Sequence, residues 1–197
     1  MKTRNSNKWT QKGIRFLAEG KDLLLEIVRI VILASLIVIP IRYFIFQPFF
    51  VQGVSMEPNF HNGDYLIVDE LTYRFRDPQR GEVIVFRYPN NPSQRYIKRI
   101  VGLPGETVEI KEGEVTIIED REREKLDESF YLKEDVETTG NIRVSLSDQE
   151  YFVLGDNRNF SSDSRRWGVL PRKYIVGKVY LRAWPFAALA QFEVPSY

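Results

Sequence analysis

The sequence predicts a mainly β protein, an antiparallel partly closed barrel or sandwich behind a single N-terminal transmembrane helix. Three observations predict it. An apolar stretch runs from about Leu23 to Phe50. From Gly63 onward the pattern changes to short alternating runs between turn residues. No segment after the apolar stretch carries a long 3.6-residue period. At 197 residues, less an anchor, there is room for one ordinary domain with a real core.

Residues 1–21 form a basic tail, in which Lys2, Arg4, Lys8, Lys12, Arg15 and Lys21 stand against Glu19 alone. Residues 22–48 are the expected anchor, densest from Ile30 to Ile39. Glu26, Arg29 and Arg42 can snorkel, and about 20 residues cross the roughly 30 Å of a bilayer core. A removable signal peptide is the competing reading. Pro40-Ile41-Arg42-Tyr43-Phe44 is too bulky for a small-x-small cleavage site, which favours a retained anchor. The basic tail then stays cytoplasmic and everything after Phe50 lies across the membrane.

Residues 49–197 are the expected β-rich domain. Its strands are expected at Asp64–Glu70, Glu82–Tyr88, Arg95–Val101, Thr107–Ile110, Glu114–Ile118, Ile142–Leu146, Tyr151–Leu154 and Tyr174–Trp184. Turns fall at Asp77-Pro78, Arg80-Gly81, Pro89-Asn90-Asn91-Pro92, Pro104-Gly105 and Glu112-Gly113. Glu119–Glu137 is dense in charge and reads as a solvated loop or hairpin tip, not a site. Trp184-Pro185-Phe186-Ala187-Ala188-Leu189-Ala190 is too short to span; it covers the core or rests on the bilayer interface.

Composition narrows the chemistry. With no cysteine and one histidine, thiol nucleophiles, thiolate metal sites and the usual zinc sites are excluded, and no metal or cofactor is expected. His61 sits in a turn-like Phe60-His61-Asn62-Gly63-Asp64 and reads as a solvated loop residue. Hydrolytic chemistry would then rest on Ser, Thr, Lys, Asp or Glu. A net charge of +1, with no basic stripe among aromatics, gives no sign of a nucleic-acid partner.

Lys98 stands out within Tyr96-Ile97-Lys98-Arg99-Ile100-Val101. Tyr96, Lys98 and Ile100 share one face of the strand, while Ile97, Arg99 and Val101 share the other. One cation must therefore lie among bulky apolar neighbours, and a lysine placed there loses hydration and becomes a base near neutral pH. A lysine on an edge strand, reaching water, is the plainer alternative. Ser55, in Gly53-Val54-Ser55-Met56-Glu57-Pro58, is a candidate nucleophile, though taken alone it reads first as a turn cap.

Taken with order and position, three segments resemble the motif boxes of bacterial type I signal peptidases. They are Gly53–Pro58, Tyr96–Glu106 and Gly155-Asp156-Asn157-Arg158-Asn159-Phe160-Ser161-Ser162-Asp163-Ser164-Arg165. Gly63–Val68 and Arg80–Phe86 also look like boxes of that family. The resemblance implies a membrane-anchored serine endopeptidase that removes signal peptides from exported preproteins after small-x-small sites. It implies that Ser55 is the nucleophile, Lys98 the general base and Ser161 a serine beside the lysine ammonium. Asp163 and Arg165 brace the site as an ion pair, and Asp156, Asn157 and Arg158 match the turn of the same box.

By the same resemblance, Phe49, Val51, Met56, Tyr96 and Ile97 line small apolar pockets, with ordinary core as their plain alternative. A substrate strand would pair with the edges near Phe49–Gly53 and Arg95–Ile97. Some relatives carry a serine where this chain has Gly53, so its oxyanion site must lean on backbone N–H groups, that of Ser55 first. The implied partners are signal peptides and the lipid bilayer. The implied location is the cell or thylakoid membrane, with the catalytic domain extracytoplasmic. Two other readings are a Ser-Lys autoprotease of the repressor class and an anchored, non-catalytic binding module. The anchor and the Gly155–Arg165 box argue against the first, intact Ser55, Lys98 and Ser161 against the second.

Overall fold

The structure, a computed structural model, describes residues 20, 23–39, 46–120, 122–133, 136–186 and 190–191. The chain divides into two compact units, Met1–Phe44 and Ile45–Tyr197. In the first, residues 23–39 form the helix α1, whose leucines, isoleucines and valines are largely exposed within that unit. Among the described residues no helix is long and apolar enough to cross a membrane. The basic tail, apart from Gly20, lies outside the described residues.

The second unit is mainly β and antiparallel. Its strands are β1 (Phe46–Phe50), β2 (Tyr65–Asp69), β3 (Val83–Tyr88), β4 (Asn91–Gly102), β5 (Thr107–Lys111), β6 (Glu114–Glu119), β7 (Glu122–Lys125), β8 (Ile142–Ser145), β9 (Glu150–Leu154), β10 (Leu170–Pro171), β11 (Ile175–Trp184) and β12 (Ala190–Gln191). One short helix, α2 (Ser164–Trp167), lies between β9 and β10. One sheet runs β1-β2-β11-β3-β4-β9-β10, with β12 on β11; the other runs β7-β6-β5-β8. Along these paths the end strands of each sheet do not pair with one another, so neither sheet closes into a barrel.

Alternation along the strands builds three cores. Val83 and Val85 of β3 pack with Val51, Met56, Phe60, Leu66, Val68, Ile97 and Val179. Ile84 and Phe86, pointing the other way, pack with Ile100, Tyr151, Val153, Leu170 and Ile175. Further along β4, Val101 enters a third cluster with Val108, Ile110, Val115, Ile117, Phe152 and Leu154. β4 thus runs from the large sheet to the core of the small one and is buried on both faces from Ile97 to Gly102. Gly102 has no room for a side chain, since a Cβ would meet Val108 Cγ2 at 2.4 Å.

Several elements depart from the sequence expectation. Phe46, Gln47 and Pro48, placed at the end of the anchor, are strand β1 and pair with β2. Pro48 is tolerated because β1 is an edge. The turn expected over Pro89–Pro92 tightens to Pro89-Asn90, with Asn91 already in β4. Glu119–Glu137 is not simply solvated: Glu122–Lys125 pairs with β6, and Leu126, Tyr131 and Leu132 are buried. Trp184 and Phe186 are exposed and meet edge to face, while Ala187, Ala188 and Leu189 lie outside the described residues.

Candidate active site

The chain leaving β1 turns sharply at Gly53, whose φ of 89° is natural to glycine and strained for any other residue. Its N–H donates to Asn62 Oδ1 at 2.9 Å. Val51 N–H bonds the Asp64 carbonyl and Gly63 N–H bonds the Val51 carbonyl, both at 2.9 Å. Met56 and Phe60 follow as buried anchors in the core. The loop between them carries Ser55 to the wall of β4.

There Lys98 Nζ hydrogen-bonds Ser55 Oγ at 2.7 Å and donates to the Ile97 carbonyl at 2.7 Å. Lys98 is 4 % exposed. Burial pulls its pKa down to about 8, against the attraction of Asp163 and Asp156. Arg99, the next residue, is equally buried but takes both oxygens of Asp156, at 2.8 and 2.7 Å, and lies over the Tyr131 ring. The two neighbouring cations thus differ: Arg99 is neutralised by a carboxylate, while Lys98 forms no ion pair among the described residues.

The third segment fixes the nucleophile loop from behind. Asn157 N–H donates to the Ser55 carbonyl and Asn157 Nδ2 to the Val54 carbonyl, both at 3.1 Å. Ser55 N–H bonds no described acceptor, so it remains an available oxyanion donor. Gly155 packs so closely that a Cβ would stand 2.2 Å from Ser161 Oγ and 2.5 Å from the Ser55 carbonyl oxygen. Ser161 is buried against it, and among the described residues no hydrogen bond joins its Oγ to Lys98; its hydroxyl faces the Asp163 carboxylate instead. The hydroxyl still helps hold the Asp163 carboxyl down.

Asp163 caps α2 by accepting from Arg165 N–H and also accepts from Gly155 N–H at 3.1 Å. Arg165 grips it with Nε and Nη2 at 2.9 and 2.8 Å. Burial alone would raise the Asp163 carboxyl; these partners outweigh it and hold it below the usual range.

An open groove of about 460 Å³ runs past this pair. Phe49 and Phe50 form one wall; Arg95, Tyr96, Ile97 and Lys98 form the other. Of the five expected pocket residues, Phe49, Tyr96 and Ile97 line the groove. Val51 and Met56 do not; they lie in the core cluster that backs Phe49 and Ile97. Val51 shares the inward face of Phe49 two residues before it, and Met56 is buried in the same cluster. His61 is exposed, as expected of a loop residue.

Several supporting residues escaped the sequence analysis. Asn59 Nδ2 bonds Asp156 Oδ2 and the Tyr131 carbonyl, both at 2.8 Å. Glu128, inside the charge-dense stretch, pairs with the fully buried Arg158, which in turn donates to the Gly155 carbonyl at 3.1 Å. A carboxylate among many charged neighbours carries no signal that it alone faces inward.

A serine hydroxyl against a buried amine, beside an open groove, is the equipment of a serine hydrolase. Comparison with known proteins narrows the class. Residues 24–184 match the family described as "Signal peptidase, peptidase S26". The chain is 37 % identical to "Probable signal peptidase I-2" of Synechocystis sp., over 82 % of this chain and 73 % of that one. It is 35 % identical to "Signal peptidase I" of Leptolyngbya laminosa, over 88 % and 87 %. A crystal structure of a signal peptidase I from Enterococcus faecalis V583, 31 % identical, aligns with a TM-score of 0.44 over 53 % of this chain and 97 % of that one.

The chain belongs to the signal peptidase family, peptidase S26. It is a serine peptidase, a hydrolase that removes signal peptides from preproteins.

Proposed function

We propose that Ser55 is the nucleophile and Lys98 the general base of a Ser-Lys dyad. The 2.7 Å contact between them, made by an amine brought to about 8, carries this reading. The neutral amine takes the Ser55 Oγ proton as Oγ attacks the scissile carbonyl carbon. Ser55 N–H stabilises the oxyanion. The Lys98 ammonium then gives its proton to the leaving amine, the C–N bond breaks, and a serine ester remains. Lys98 next takes a proton from the attacking water, and Ser55 Oγ leaves with a proton restored. Asp163 and Arg165 hold the Gly155–Ser161 turn against the nucleophile loop, and Ser161 fills the space beside Gly155.

The substrate lies extended in the groove, with Phe49, Tyr96 and Ile97 limiting the size of its side chains. Small-x-small selection follows, because shape restricts the side chains while backbone hydrogen bonds hold the strand. Detergent-solubilised protein incubated with a peptide carrying Ala-x-Ala tests this, the products read by mass spectrometry. Cleavage after the second alanine, absent in Ser55→Ala, is expected. Undiminished cleavage by Ser55→Ala would overturn the assignment.

The apolar stretch ahead of β1 is a membrane anchor, with the basic tail cytoplasmic and the β unit extracytoplasmic. The 17 described residues of α1 (23–39) extend about 26 Å at 1.5 Å per residue, so a span of roughly 30 Å draws on flanking residues as well. The six basic residues before Asp22 support the orientation.

A further inference from the structure

The edge of β4 that borders the groove is open only in part. On one side β3 pairs with β4 opposite Arg95 to Arg99. On the other, β9 pairs with it only from Arg99 onward, where Arg99 stands opposite Leu154. Among the described residues no strand occupies that second side from Arg95 to Lys98. A substrate strand can therefore pair with β4 as far as Lys98 and no further. Tyr96 and Ile97, which limit the side chains before the scissile bond, lie on the Arg95 side of Lys98. The chain after the bond leaves in the other direction, where β9 already holds the edge. It must turn out of the sheet across the loop that follows β9.

That loop places two residues on the groove, Phe160 and Ser162. Ser161 between them is buried, while Phe160 is 73 % exposed. Phe160 N–H donates to the Asn157 carbonyl, and Asn157 N–H donates to the Ser55 carbonyl, both at 3.1 Å. Asn157 also holds the Val54 carbonyl through Nδ2, and Val54, 43 % exposed, lines the same groove. Two apolar side chains are thus tied to the nucleophile loop without belonging to any of the three cores. A phenyl ring left this exposed gains free energy when an apolar group covers it.

We propose that Phe160 is a specificity-determining residue for the departing chain, favouring an apolar over a polar side chain at one of the first two positions after the scissile bond. The inference rests on the reading of the groove as the peptide site. It leaves small-x-small selection untouched, because that concerns residues before the bond. The expected preference is about two- to tenfold in kcat/KM, the range of a contact to one aromatic ring.

The test uses the full chain in detergent and Ala-x-Ala peptides in which each of the two residues after the bond is in turn Leu or Ser. The ratio of kcat/KM for Leu over Ser is read within each variant, which cancels any overall change in rate. The wild type is expected to favour Leu at one of the two positions, and Phe160→Leu to retain that preference. Phe160→Ala should bring the ratio to about one, with a melting temperature near the wild-type value. Phe160→Glu should instead favour Lys over Asp at the same position, by about two- to fivefold as for other exposed pairs. A wild type indifferent to Leu and Ser, or a preference that survives Phe160→Ala, would overturn the proposal. So would a change confined to positions before the bond. Unchanged ratios with weakened binding of Phe160→Ala to phosphatidylglycerol vesicles would overturn it too, assigning the ring to lipid. Failure of the wild type to cut any of the peptides would reject the reading of the groove itself.

Discussion

Burial draws the Lys98 amine from 10.5 to about 8, even though Asp163 and Asp156 pull the other way. A displacement of that size costs the folded state about 3 kcal/mol wherever both folded and unfolded chains hold the proton. Below about pH 8 the full cost is present. Between about 8 and 10.5 the unfolded chain binds the extra proton, so stability rises with pH and the cost disappears. Lys98→Met should therefore melt above the wild type at neutral pH, with the gap narrowing from pH 8 to 10.5, and should be inactive. Calorimetry across that range checks it; a variant less stable at pH 7 would contradict the burial argument. Lys98→Arg should be equally inactive, because a guanidinium stays protonated. Wild-type kcat/KM should climb as pH rises through about 8.

Gly53 poses a second question at the same scale. A serine there looks able to supply the hydroxyl donor that some relatives use, and a Cβ would meet nothing within 4 Å. The φ of 89° decides against it, since a side chain is strained there whatever the space. Gly53→Ala and Gly53→Ser should both lose about 1–3 kcal/mol and lose rate together. Serine outperforming alanine at equal melting temperature would instead mean an oxyanion site open to improvement.

Among the elements, residues 126–133 do more than cover surface. They seat Tyr131 under Arg99 and deliver Glu128 to Arg158, whose side chain is wholly buried. Arg158 supports the Gly155 carbonyl, and Gly155 touches the nucleophile loop. Glu128→Gln strands a buried guanidinium, and a loss of about 3–5 kcal/mol is expected in denaturant titration. Glu112→Gln breaks only the exposed pair with Lys111 and should change stability by less than about 1 kcal/mol. Similar losses for the two would mean that Arg158 finds water in place of its partner. Besides the two-residue strands β10 and β12, the sequence expectation missed β1 and β7. β1 continues the apolar run that precedes it, and Glu122–Lys125 is an edge whose charges show no alternation.

For the molecule as a whole, the proposed topology has a direct test in vesicles. Protease added to sealed inverted vesicles should trim the tail before Leu23 and spare the chain from Gly53 onward. Digestion of the β unit from the cytoplasmic side would reject the proposed topology. The sequence alone determined the antiparallel β class, most strand positions, the exclusion of thiol chemistry and the candidate pair Ser55 and Lys98. These rest on local periodicity, composition and motif order, which need no knowledge of contacts. Only the tertiary structure decided which of two adjacent buried cations stays without a carboxylate, because Asp156 comes from 57 residues away to pair with Arg99. It likewise put Val51 and Met56 behind the groove wall, left Ser161 without a hydrogen bond to Lys98 among the described residues, and turned Glu128 inward. Each of those outcomes depends on which distant segment occupies the space beside a side chain, and no local pattern encodes that.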